Sequence, residues 1–115
     1  MEIKQDIQEI NLDVDVSLSL GLIINELVTN SLKYGFTNGN VENPFIKIML
    51  KEDGKDLILQ VSDNGRGISP DIKFRDTESL GLQLVNTLAD ELGGKLILER
   101  GRGTKFILIF SKEAE

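Results

Sequence analysis

Two runs of apolar residues, each turning back on itself at a glycine, constrain this chain more than any other feature. FIKIMLK and DLILQVS flank Asp53-Gly54, and KLILER and TKFILIF flank Gly101-Arg102-Gly103. Short strand-forming runs on either side of such turns predict two β-hairpins. Between and before them lie two longer segments with helical periodicity. The first predicts a helix capped by Ser17 or Ser19 and running to about Tyr34 or Gly35, where a glycine suits a stop. The second, LGLQLVNTLADEL, stops at Gly93-Gly94. From Gln8 to Val16 polar and apolar residues alternate strictly, which predicts a further half-buried strand. FTNGNVENP and the stretch from Asp63 to about Glu78 read as loops. Strands that pair mostly with sequence neighbours, together with two long helices, predict an α/β (α+β) fold. The expected architecture is a two-layer sandwich, a mixed and mostly antiparallel sheet with helices packed on one face.

Composition removes several chemistries. A chain of 115 residues suits one domain. It contains no cysteine, so disulfides and thiolate metal sites are excluded. It contains no histidine, so imidazole acid–base chemistry and a phosphoacceptor histidine are absent from these residues. A net charge of −6 disfavours nucleic acid and anionic membrane surfaces as partners. No run approaches transmembrane length, and the polar start MEIKQDIQEI is not a signal peptide.

Within INELVTNSLKYG, Glu26, Asn30 and Lys33 fall at offsets of four and seven, which stacks them along one side of a helix. A solvated polar face is one reading. The other is a pocket wall, because Leu22, Ile23 and Leu27 border the stripe closely. From this helix alone both stay open. Chemically the trio suits a metal–triphosphate. An amide oxygen can ligate Mg²⁺, which takes few protein ligands; a lysine meets phosphate; a glutamate orients a metal-bound water or accepts a proton. Tyr34 adds a ring at the rim.

VSDNGRGIS carries the second signal. A plain Asn-Gly hairpin competes here, but the following SPDIKFRDTES offers no alternating partner strand. The functional reading ends a strand at Asp63, whose carboxylate accepts from a ring amine, while Gly65 and Gly67 admit a flat ligand. No Walker loop is present. SLGLQLV opens the second helix with Gly81 in its first turn, a place where N–H groups meet phosphate. GRGTKF places Thr104 after a tight turn.

Together these segments resemble the ATP-binding domain of the GHKL superfamily (gyrase, heat-shock chaperones, histidine kinases, mismatch-repair proteins), which has the Bergerat fold. NELVTNSLKYGF resembles its N box, SDNGRGI its first glycine box, SLGLQLV its second, and GRGTKF its terminal glycine–threonine turn. Their order and spacing agree over essentially the whole chain, and the two-component sensor histidine kinases look most similar. The resemblance implies that residues 1–115 form a single Mg·ATP-binding catalytic domain. Asn30 is then the Mg²⁺ ligand, Lys33 meets phosphate, and Glu26 positions Mg²⁺ or takes the acceptor's proton. Tyr34 lines the nucleotide site, and Asp63 accepts from the adenine amino group, with Thr104 beside it directly or through a water. Gly65, Gly67 and Ile68 make room for the base, while Leu80, Gly81 and Leu82 sit at the phosphates. Residues from about Ser69 to Ser79 form a lid anchored by Phe74, although Thr77, Glu78 and Ser79 stand where many relatives carry glycines.

The expected function is transfer of the γ-phosphate from ATP to a histidine on a separate dimerisation domain of the same protein, with a response regulator downstream. The expected location is cytoplasmic, with no nucleic acid and no direct membrane contact by this domain, whether or not the parent protein is anchored. The alternatives are a serine kinase similar to the anti-sigma regulators, an ATPase using Glu26 as base, or a nucleotide-binding module without chemistry.

Overall fold

A computed structural model describes residues 1–36, 41–65, 80–101 and 103–112, apart from the side chains of Tyr34 and Leu80. Among these described residues five strands form one sheet in the order β1-β2-β3-β5-β4. They are β1 (Glu2–Ile7), β2 (Phe45–Asp53), β3 (Asp56–Asp63), β4 (Lys95–Gly101) and β5 (Gly103–Ser111). β1 runs parallel to β2, and every other pairing is antiparallel. Both expected hairpins are present. At the first, Asp53 pairs with Asp56 around Gly54-Lys55, and Gly54 takes a positive φ of 63°, which glycine adopts without steric cost.

Alternation along the strands gives the sheet one buried face. Ile46, Ile48 and Leu50 of β2, Leu57, Leu59 and Val61 of β3, and Phe106, Leu108 and Phe110 of β5 all point into the core. Among the described residues two helices cover that face: α1 (Val14–Asn30) and α2 (Leu80–Glu91). α1 contributes Leu20, Ile23 and Leu27, and α2 contributes Leu82, Val85, Leu88 and Ala89. Leu12 and Val16, at the start of α1, share a cavity lining with Leu92 and with Leu57 and Phe110 of the sheet. α1 therefore starts at the sheet end where α2 finishes, and the two packed helices run in opposite senses.

The second helix stops as its glycines predict. Gly94 N–H donates to the Ala89 carbonyl at 2.9 Å and Gly93 N–H to the Asp90 carbonyl at 3.0 Å, with Gly93 at φ 67°. This is the Schellman pattern of paired end bonds.

The N-terminal segment differs from expectation. The strand is Glu2–Ile7, not Gln8–Val16, and it is exposed along its whole length. Ile10, Leu12 and Val16 do pack against the core, but from a connection and a first helical turn rather than a ladder. Their period-two pattern thus marks burial without strand pairing. α1 begins at Val14 with Asp13 as N-cap, so Ser17 and Ser19 lie inside the helix. Asp15 in its first turn suits the positive end of the helix dipole.

Candidate functional site

Four segments converge at the sheet end opposite the start of α1. α1 runs to Asn30 and continues into a π-helical turn, Ser31–Gly35, so the helical run ends where the glycine predicts. Wider turns of this kind occur often at functional positions. Here the turn delivers Ser31 to the end of β3. The Ser31 hydroxyl donates to Asp63 Oδ2 at 2.6 Å, within the short range of a charge-assisted bond. The Gly65 backbone N–H donates to Asp63 Oδ1 at 2.9 Å. Asp63 is only 8% exposed, and two donors from separate segments hold its carboxylate.

Thr104 lies directly opposite Asp63 in the β3–β5 register and is also buried. The approach of the two strands depends on Gly103, whose φ is 130°. A Cβ at that position would overlap the Asp63 carbonyl. Asn64 fixes the other side of the strand end: its Oδ1 accepts from the Phe45 N–H at 2.8 Å and its Nδ2 donates to the Asn43 carbonyl at 3.0 Å. The Asp63 position is therefore set by β2, β5 and the turn after α1 together. A cavity of about 340 Å³ borders the same strand ends, but Ser62 and Lys105, which line it, alternate to the sheet face away from the helices.

Asn30 immediately precedes the hydroxyl that binds Asp63. Its Nδ2 is buried and has no hydrogen-bond partner among the described residues. Leaving such a group unpaired costs about 1–3 kcal/mol, and an unpaired buried amide in a native fold calls for an explanation. Glu26, one turn earlier, is half-buried, and Lys33 in the π turn is exposed. Tyr34 belongs to the same turn by its backbone. Leu80 and Gly81 form the first turn of α2, with Gly81 half-buried. Leu82 belongs to the hydrophobic core, so its side chain supports the helix end from beneath. Gly67, Ile68 and Phe74 lie outside the described residues.

Sequence reasoning missed Ser31 and Asn64. Ser31 falls off the Glu26–Asn30–Lys33 stripe, because an ideal α-helical projection turns it toward the core side. The available signal was a hydroxyl at an otherwise core-facing position beside the amide. Asn64 reads as a turn residue, and only the tertiary pairing with Phe45 reveals its clamp. Among the described residues no group of three acidic, histidine or cysteine side chains could hold a metal by itself. No described helix is long and apolar enough to cross a membrane.

Known proteins resemble this chain in sequence and in fold. Residues 15–114 match the family model for histidine kinase-, DNA gyrase B-, and HSP90-like ATPases. Blue-light-activated histidine kinase 2 of Erythrobacter litoralis is 32% identical over 103 residues, covering 86% of this chain and 29% of that protein. Sensor histidine kinase PdtaS of Mycobacterium tuberculosis is 34% identical over 100 residues, covering 84% of this chain and 20% of that protein. The chain thus spans less than a third of the length of these relatives. The histidine kinase domain of the Erythrobacter litoralis EL346 blue-light activated histidine kinase superposes with a TM-score of 0.88 at 25% identity, over 96% of this chain and 51% of that one. The catalytic domain of histidine kinase ThkA shares the fold, with a TM-score of 0.72 at 23% identity over 99% of this chain and 81% of that one. The matched region takes in both helices and the strand end that carries Asp63, and the chain belongs to the family of histidine kinase-, DNA gyrase B-, and HSP90-like ATPases.

Proposed function

We propose that residues 1–115 are the ATP-binding catalytic domain of a cytoplasmic sensor histidine kinase segment. In this role the chain binds Mg·ATP and presents its γ-phosphate to a histidine on a separate domain of the same protein, with a response regulator receiving the phosphoryl group next. The observation that carries the proposal is the hydroxyl bridge between the two halves of the site. Ser31, next to Asn30, holds Asp63 across 32 positions of sequence. A base-reading acceptor and a metal-side amide are thereby fixed to one another.

In this reading Asp63 accepts from the adenine amino group with Thr104 beside it, and Gly65, Gly67 and Ile68 accommodate the ring. Tyr34 lines the nucleotide. Lys33 and the N–H groups at the start of α2, from Leu80 through Leu82, face the phosphates, and Phe74 anchors the lid. The donor set fits Mg²⁺, which needs only one or two protein oxygens beside phosphates and waters. Asn30 carries an amide whose buried nitrogen has no partner among the described residues, and its carbonyl oxygen would hold the ion. When bound, the ion would offset negative charge on the phosphates. The chain's own contribution is placement: transfer of this kind depends chiefly on alignment and charge stabilisation. The acceptor imidazole nitrogen forms a bond to the γ-phosphorus as the bond to the bridging oxygen breaks and ADP leaves. Glu26 either positions the metal or accepts the imidazole proton.

The test is calorimetry with Mg·ATP, followed by transfer to the histidine-bearing domain of the parent protein supplied separately. Wild type should bind ATP and yield an acid-labile phosphohistidine, and Asp63→Ala should lower ATP affinity by about 100-fold or more, the scale of losing a buried charged hydrogen bond. Undiminished binding by Asp63→Ala would remove the assignment. An acid-stable phosphoserine product would point to a serine kinase instead.

A further inference from the structure

We infer that Ser31 is a positioning residue that sets which purine the site accepts. This rests on the nucleotide-site reading above and adds a residue to it. The hydroxyl of serine has one donor and can accept twice. Its donor is committed to Asp63 Oδ2 at 2.6 Å, and the other carboxylate oxygen takes the Gly65 N–H at 2.9 Å. A carboxylate held at both oxygens by different segments cannot swing about its terminal torsion.

Two consequences follow for a ligand at Asp63. The corner formed by Asp63 and Ser31 offers acceptors only, so it matches an exocyclic amine and repels a ring carbonyl. Held at both oxygens, it also resists the rotation that would bring both of them onto one base edge, which is what the N1–H and 2-amino groups of guanine require for bidentate pairing. The adenine 6-amino group needs only a single acceptor. With Ser31 removed, Oδ2 loses its hydroxyl donor, and the carboxylate gains the freedom that guanine needs. Ser31 also ties the base-reading end of β3 to the turn that follows Asn30. The purine ring and the metal-side amide are thus located by one hydroxyl.

The experiment is calorimetric binding of Mg·ATP, Mg·GTP and magnesium tripolyphosphate to wild type, Ser31→Ala and Ser31→Thr. Wild type should favour ATP over GTP. Ser31→Ala should weaken ATP binding about tenfold or more, as expected for a hydrogen bond to a charged group. GTP affinity should hold or rise, and tripolyphosphate binding should stay within twofold. Ser31→Thr, which keeps the hydroxyl, should restore the ATP-over-GTP ratio. If Ser31→Ala is not folded by circular dichroism, the near-isosteric Ser31→Cys, a weak donor, carries the same comparison. An unchanged ATP-over-GTP ratio overturns the inference while leaving ATP binding intact. Equal loss of all three ligands also overturns it, because it would make Ser31 merely structural. A wild-type chain that binds no ATP takes the underlying function with it.

Discussion

Gly103 packs its α-carbon against the main-chain carbonyl of Asp63. Its φ of 130° lies where side-chain-bearing residues are strained, and a Cβ there would overlap that carbonyl and approach the neighbouring backbone. The contact is backbone on backbone, so no rotamer change can relieve it. Gly103→Ala must therefore strain β5 or push it away from β3 at the level of Asp63 and Thr104. The expected cost is about 2–4 kcal/mol, from a disfavoured backbone conformation plus overpacking, and thermal melting should fall by roughly 5–15 °C. A melting temperature within a degree of wild type would mean that the strand end is looser than the geometry requires.

Asn30 offers a variant in which stability and binding separate. Its buried amide nitrogen has no partner among the described residues, so deleting it removes an unsatisfied donor rather than a hydrogen bond seen there. Asn30→Ala should leave stability unchanged or raise it by up to about 1 kcal/mol. The same change should weaken Mg·ATP at least tenfold, while ATP measured in chelator changes much less. Chemical denaturation and calorimetry with and without Mg²⁺ read the two quantities. A large loss of stability would show that the amide serves packing and would remove it as the metal-side group.

How much of this was legible beforehand depends on whether a signal was local. The two hairpins, the helix stop at Gly93-Gly94 and the end of the helical run at Gly35 are each dictated by turn chemistry within a few residues, and each was readable. The first strand was not. Glu2–Ile7 is an exposed edge strand held by parallel pairing to β2, and parallel partners distant in sequence leave no local trace. The apolar alternation at Ile10, Leu12 and Val16 was stronger and pointed to the wrong segment. At the site, Asp63 and Asn30 were marked by their motifs. Ser31 was hidden because α-helical projection places it with the core, whereas the chain widens into a π turn at that residue. Gly103 was visible as a turn glycine, but its contact with Asp63 arises only from the register of β3 against β5.

Lys33 tests whether charge at the end of α1 serves binding alone. The side chain is exposed in the π turn and forms no ion pair among the described residues, so little of the fold depends on it. Lys33→Ala should change unfolding free energy by no more than about 0.5 kcal/mol, as for other surface substitutions. A lysine acting as a point charge on phosphate predicts a roughly two- to tenfold loss of ATP affinity at low salt. That difference should shrink as ionic strength rises toward 0.5 M, where the Debye length falls to about 4 Å. Adenosine, which carries no phosphate, should bind both proteins equally. Calorimetric titrations at two salt concentrations decide the matter: a salt-independent loss that extends to adenosine would place Lys33 in the packing of the turn and not at the phosphates.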